Sequence, residues 1–222
     1  MGIFFKKTPS SQQKSMEIGD ELCYTQNAIL CKLFLLFREG KALRCIEQHL
    51  DGETKYEGLI VKVRLDRAQL ENGKIVRREV VEHPGGVGIL PVDGEGFCYM
   101  VRQFRYPFSR QLLEIPAGKL EYGEDPYECA VRELSEETGF SAEEMIPLGA
   151  CYTSPGFSNE VLHLYLARGL HAGRAHLDED EFLNVEKYRL EELLAMADRG
   201  EISDAKTLIA VLKASRLLLP RA

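Results

Sequence analysis

Three glutamates near the middle of the chain, Glu133, Glu136 and Glu137, fall at i, i+3 and i+4 of a segment with strong helix signals. That spacing stacks their carboxylates on neighbouring turns of one helical surface. Like charges so placed repel, by about 0.2–0.5 kcal/mol per pair on a bare helix. Arg132 is the counter-charge beside them. A divalent cation offsets the repulsion most simply. Carboxylate oxygens suit a hard ion such as Mg²⁺ or Mn²⁺, which keeps some of its waters and shares substrate phosphates. The same spacing also fits a solvated acidic helix face, and spacing alone leaves both readings open.

The helix that must carry these groups is well delimited. Asp125 suits the N-cap, Pro126 the first helical position, Glu128 completes an Asp-x-x-Glu capping box, and Gly139 is placed to end the helix. Tyr127, Ala130, Val131 and Leu134 at i, i+3, i+4 and i+7 predict an apolar stripe facing a core, with the glutamates turned away from it. Upstream, Val61, Val63 and Leu65 alternate with Lys62, Arg64 and Asp66, the period of a half-buried strand. Asn72-Gly73 offers a hairpin turn in which both residues tolerate positive φ, with a return strand over 75–81. Further strands are predicted at 87–92, 97–101, 146–152, 161–167 and 182–188, and residues 116–123 read as a Pro/Gly-containing loop. Helices follow at 190–199, closed by Gly200, and from Asp204 towards Leu219. This order of elements predicts an α/β or α+β sandwich of helices around a mixed sheet.

The loop before the helix adds a denser pattern. The chain runs Gly118-Lys119-Leu120-Glu121-Tyr122-Gly123-Glu124, then Arg132-Glu133-Leu134-Ser135-Glu136-Glu137-Thr138-Gly139-Phe140. In register and residue type this resembles the Nudix box, and a chance match over so many specified positions is improbable. The resemblance implies the family's loop–helix–loop within an α/β/α sandwich with a mixed sheet, preceded by antiparallel N-terminal strands, and hydrolysis of a nucleoside diphosphate derivative with Mg²⁺ or Mn²⁺. It further implies Glu133 and Glu137 as the principal metal ligands, with Glu121 and the carbonyl of Ala117 as further ligands. Arg132 and Glu124 are implied as the groups that hold the glutamates by charge-assisted hydrogen bonds.

Flanking residues narrow the likeness. Arg102-Gln103-Phe104-Arg105-Tyr106-Pro107, Leu113-Glu114-Ile115-Pro116-Ala117-Gly118 and Ser154-Pro155-Gly156-Phe157-Ser158-Asn159-Glu160 resemble the ADP-ribose pyrophosphatase subfamily, as do 177–181 and 200–207. Sugar-nucleotide hydrolases share several of these motifs. The subfamily likeness implies cleavage of ADP-ribose to AMP and ribose 5-phosphate, with GDP-mannose, another sugar nucleotide or NADH as rival substrates. A non-catalytic ADP-ribose sensor is the rival outside enzymes; such sensors typically lose box glutamates, which are all present here. Glu160 is implied as the group that handles the attacking water, with Glu136 as its rival, and Arg105 and Glu114 as substrate-binding residues. For Arg105 a surface ion pair is the alternative. Tyr106 and Phe157 read equally as nucleoside-pocket or packing residues, and His83 and His163 as packing histidines. The chain has no tryptophan, so a Trp-stacked adenine is excluded.

Composition sets outer bounds. With 222 residues, 45% hydrophobic and 28% charged, the chain holds one substantial core. Its net charge of -7 argues against a surface that tracks nucleic acid. The 6 cysteines form no CxxC pair and read as reduced, buried side chains of a cytoplasmic protein. Residues 28–37 (AILCKLFLLF) are too short to span a bilayer, carry Lys32 and lack a following cleavage site, so neither a signal peptide nor a membrane segment is expected. Residues 6–14 read as polar and mobile. The expected organisation is an N-terminal extension over 1–50 and a hydrolase domain with N-terminal strands over 51–222, and the subfamily likeness implies a homodimer.

Overall fold

The computed structural model describes residues 44–176 and 182–219. The readings placed on 6–14, 28–37 and 177–181 lie outside them. A first sheet contains β1 (Glu47–Glu57), β2 (Lys62–Leu70) and β3 (Ile75–Glu82) in that order, with β2 and β3 antiparallel. The turn between β2 and β3 is where the Asn72-Gly73 pair places it, but only Gly73 adopts positive φ, at 82°; the Asn72 carboxamide instead accepts from Lys74 N at 3.0 Å. In β2 the expected alternation breaks at Asp66, which is buried. Its neighbour across the sheet is Gly52, where any Cβ would strike the carboxylate. Arg64 holds that carboxylate through two hydrogen bonds, of 3.2 and 2.7 Å, which makes its burial tolerable.

The main body is built on a four-stranded mixed sheet of order β7-β4-β9-β8, with β4 (Gly86–Pro91), β7 (Ala117–Lys119), β8 (Phe140–Tyr152) and β9 (Val161–Ala172). β4 runs parallel to β9 and antiparallel to β7. Every residue of β4 is buried, as a central strand covered on both faces requires. Its alternation decides what covers each face. Val87 and Ile89, with Tyr165 and Ala167 of β9, pack against Cys129, Ala130 and Leu134 of α1 (Pro126–Thr138). Leu90, with Leu164 and Leu166, packs on the opposite side against Ala210, Val211 and Ala214 of α3 (Ala205–Leu218) and Leu193 of α2 (Leu190–Asp198). The second cluster also takes in Met100 and Leu113 from a further antiparallel sheet of β5 (Phe97–Arg105), β6 (Arg110–Glu114) and β10 (Leu183–Arg189), ordered β10-β5-β6. Helices therefore cover both faces of the mixed sheet, in the α/β/α arrangement the motif resemblance implies.

Three strands escaped the sequence pattern: β1 straddles the boundary drawn at residue 50, β6 is short, and β7 lies inside the stretch read as a loop. The helix itself begins and ends as expected: Asp125 accepts from Tyr127 N at 2.8 Å, and Gly139 takes the left-handed φ of 73° with its N–H bonded to Ser135 O. The apolar stripe is a different one. Tyr127 and Val131 are exposed, whereas Cys129, Ala130, Glu133, Leu134 and Glu137 are buried. Two of the glutamates thus lie on the covered side of α1, against β7, rather than away from the core.

Candidate active site

Gly118 in β7 explains why glutamates can occupy that covered face. Its missing side chain leaves room for the Glu133 carboxylate, whose carbon lies 1.8 Å from where a Cβ would stand. One residue earlier, Ala117 N donates to Glu137 Oε2 at 2.9 Å. A backbone amide and a glycine cradle therefore seat two carboxylates that are only 8% and 2% exposed. Leaving such groups unpaired there would be costly, and Arg132 supplies the compensating charge for Glu133.

Arg132 is the hub of the face. Its Nε and Nη2 donate to the two oxygens of Glu124 at 2.9 and 3.1 Å, and its Nη1 donates to Glu133 at 2.7 Å and Glu136 at 2.9 Å. Glu124 also accepts from Glu121 N at 2.9 Å. The Arg132 bonds, helped by that amide, hold the Glu124 carboxyl down at about 2, and Glu124 in turn helps keep the guanidinium charged. Beneath it, burial pushes the Cys129 thiol up to about 12, which makes it a packing group rather than a nucleophile. Glu121 is exposed on the loop before the helix.

A cleft opens beside this wall. His83, Arg105, Ala117, Gly118, Glu160 and Lys206 line it, drawn from the ends of β3 and β5, from β7, from the loop before β9 and from the start of α3. Arg102 is already committed to Glu186 by a two-pronged pair of 2.6 and 2.9 Å. Arg105 is held likewise, by Glu114 at 2.8 and 2.7 Å, but lines the cleft. Glu114 is 1% exposed and also binds Lys206 Nζ, which reaches Asp204 at 3.0 Å. Burial pushes the Glu114 carboxyl up, yet Arg105 and Lys206 outweigh it and hold the group below the usual glutamate range. Glu114 thus stands behind two cations. Asp204, as N-cap of α3, accepts from Thr207 N, and Thr207 Oγ1 accepts from Ile115 N at 2.9 Å, tying α3 to the start of the cleft wall.

On the other side, Glu160 receives a hydrogen bond from the Thr153 hydroxyl, and its Oε1 lies 3.4 Å from His83 Nδ1. Glu136 is partly exposed and turned to Arg132, outside the cleft lining. Phe157 and Tyr106 are exposed. The structure therefore brings Glu133, Glu137 and Ala117 together at Gly118, and places Arg105 and Glu160 in the adjoining cleft. Sequence reasoning passed over Lys206, whose burial no spacing reveals, and set His83 aside. Among the described residues, no group of three or more His, Cys, Asp or Glu side chains stands in place to cage a metal. Two buried carboxylates seated at Gly118, itself in the wall of a cleft that Arg105 and Lys206 also line, suit instead a hard ion that keeps waters and shares phosphate oxygens.

The description NUDIX domain matches residues 82–211. The chain is 44% identical over 167 residues to the ADP-ribose pyrophosphatase of Bacillus subtilis (strain 168), covering 74% of this chain and 90% of that one. It is equally 44% identical over 167 residues to the methanol dehydrogenase activator of Bacillus methanolicus, with the same shares covered. A crystal structure of ADP compounds hydrolase superposes with a TM-score of 0.71 over 81% of this chain and 97% of that one, at 22% identity, which bears on the fold. The chain belongs to the NUDIX domain family.

Proposed function

We propose that this chain is a Nudix pyrophosphohydrolase that cleaves ADP-ribose to AMP and ribose 5-phosphate with Mg²⁺. The observation that carries the reading is the seating of Glu133 and Glu137 at Gly118, beside a cleft that Arg105, Lys206 and Glu160 also line. The similarity to the Bacillus subtilis enzyme supports ADP-ribose within the nucleoside diphosphate class.

Glu133, Glu137, Glu121 and the Ala117 carbonyl would hold the cation. When bound, it neutralises diphosphate charge and polarises the phosphoryl oxygens. Arg105 and Lys206, both steadied by Glu114, bind the remaining phosphate oxygens; the planar guanidinium suits a forked contact and the ammonium a point contact. Glu160 takes a proton from water as the water oxygen bonds to phosphorus and the bridging oxygen leaves with its electron pair. Glu160 suits this task better than Glu136, which Arg132 occupies. Arg132 and Glu124 hold the wall in shape. Of the described free cysteines Cys98 and Cys129 are buried, Cys151 is half-buried and Cys45, against expectation, is exposed; unpaired thiols of this kind suit a reducing cytoplasm. The exposed Leu50, Tyr56 and Ile75 on the β1–β3 sheet suit pairing with a second copy of the chain.

The test is hydrolysis of ADP-ribose, GDP-mannose and NADH in Mg²⁺, with products separated by chromatography. ADP-ribose should turn over fastest, and Glu137→Gln, which keeps an acceptor for Ala117 N, should lose about 10²-fold or more in kcat while remaining folded. ADP-ribose binding without turnover would mean a sensor, and cleavage of GDP-mannose alone a sugar-nucleotide enzyme.

A further inference from the structure

We infer that Thr153 is the positioning residue of Glu160, holding one carboxylate oxygen so that the other is presented to the attacking water. The inference rests on the reading of Glu160 as the group that handles that water. β8 and β9 form a long antiparallel hairpin whose ladder ends at the pair Tyr152–Val161. One step beyond that pair, the same register sets Thr153 opposite Glu160, with both side chains on one face. The alternation agrees with the cleft, which Glu160 and Leu162, two residues apart, both line. Across the mouth of the hairpin the Thr153 hydroxyl donates to Glu160 Oε2.

The main chain between the two residues is closed on itself. Phe157 N and Ser158 N both donate to Ser154 O, at 3.1 and 2.9 Å, and Glu160 N donates to Ser158 Oγ at 3.2 Å. The loop is also stitched to the end of β3. Val81 N donates to Phe157 O at 2.7 Å, Asn159 N to Val81 O at 3.2 Å, and His83 N to the Asn159 side chain at 2.8 Å. Hairpin, turn and β3 together fix the Cα of Glu160. The side chain is a separate matter, because a glutamate keeps several torsions beyond Cα and ordering them costs entropy. Thr153 is the donor that orders them, and its own branched side chain is stiff at χ1, so the hydroxyl keeps its direction. With Oε2 engaged, Oε1 is left to accept from water. His83 Nδ1 lies 3.4 Å from Oε1, but it already accepts from Gly85 N at 3.0 Å, so that nitrogen brings no N–H to compete with the water. Thr153 exchanges no proton in the step; it keeps its bond to Oε2 while Oε1 takes the proton of the water.

A double-mutant cycle on the full chain, assayed with ADP-ribose and Mg²⁺, tests this. Thr153→Val keeps the branched shape without the hydroxyl and should lower kcat by roughly tenfold with KM nearly unchanged, since the carboxylate loses its aim but the phosphate contacts remain. Thr153→Ser keeps the hydroxyl and should stay within about threefold of the wild-type rate. In a Glu160→Gln background, Thr153→Val should cause no further loss. Thermal melting checks that each variant folds, and Thr153→Ala against Thr153→Ser carries the comparison should the valine variant not fold. A wild-type kcat in Thr153→Val, equal losses for valine and serine, a loss confined to KM, or the same loss on top of Glu160→Gln would overturn the role of Thr153 and leave Glu160 standing. Wild-type kcat in Glu160→Gln itself would overturn the reading of Glu160, and the role of Thr153 with it.

Discussion

Gly118→Ala isolates the cradle from the rest of the fold. Gly118 is not among the positive-φ glycines, so alanine can take its backbone conformation, and the substitution even removes some unfolded-state entropy. The whole effect lies in one methyl group. Its carbon would stand 1.8 Å from the Glu133 carboxylate, against the 3.0 Å below which such contacts essentially do not occur. The carboxylate must therefore retreat by roughly 1.2 Å, and a displacement near 1 Å can lower the rate about 10²-fold, or about 2.7 kcal/mol. Steady-state hydrolysis across a Mg²⁺ titration should show that loss together with a raised half-saturating Mg²⁺ concentration. The change in melting temperature should be small beside it. Gly123→Ala is the control with the opposite signature: at φ 78° and with nothing within 4 Å of its Cβ, it should lose about 1–2 kcal/mol of stability and keep its rate. Gly118→Ala hydrolysing at the wild-type rate with unchanged Mg²⁺ dependence would refute the reasoning.

Two further expectations concern the charged framework. Arg132→Lys keeps the charge but cannot reach Glu124, Glu133 and Glu136 together; the half-saturating Mg²⁺ concentration should rise about 10–100-fold, and an unchanged value would exclude Arg132 as the organiser of the wall. Because the Glu114 carboxyl is held below its ordinary range, its contribution to stability is complete above the unfolded value of about 4.3 and is lost as pH falls through the lowered folded value. Urea unfolding at a series of acid pH values should therefore show a shallower pH slope in Glu114→Gln than in the wild type, and parallel slopes would count against the pairing with Arg105 and Lys206.

How much of this was legible beforehand follows the physics of each element. The strands whose alternation runs over many residues, such as 161–167, could be placed from periodicity, as could α1 with its start signal at Asp125 and stop signal at Gly139. β7 could not. It has three residues between a proline and a loop, and it exists as a strand through main-chain bonds to Gly86–Gly88, which no side-chain pattern encodes. The face of α1 was misread for a related reason. A pattern that counts apolar residue types assigns Tyr127 and Val131 inward, but the neighbouring wall is a glycine and a backbone amide, which accept carboxylates better than rings. Arg105 and Glu160 came from motif likeness; Lys206 lay within the likeness over 200–207 without a role to mark it and His83 had neither likeness nor period, because only the folded chain brings residues 83, 114, 160 and 206 to one place.

The guanidinium at the centre of the helix surface has one more consequence. Because a guanidinium already sits on Glu133, an incoming cation would gain only the difference between two charged partners for that carboxylate. On the proposed reading, such a seat would grip weakly on its own and firmly once an anionic diphosphate shared the load. Ion and nucleotide would then arrive and depart together, and turnover would be tied to the supply of both.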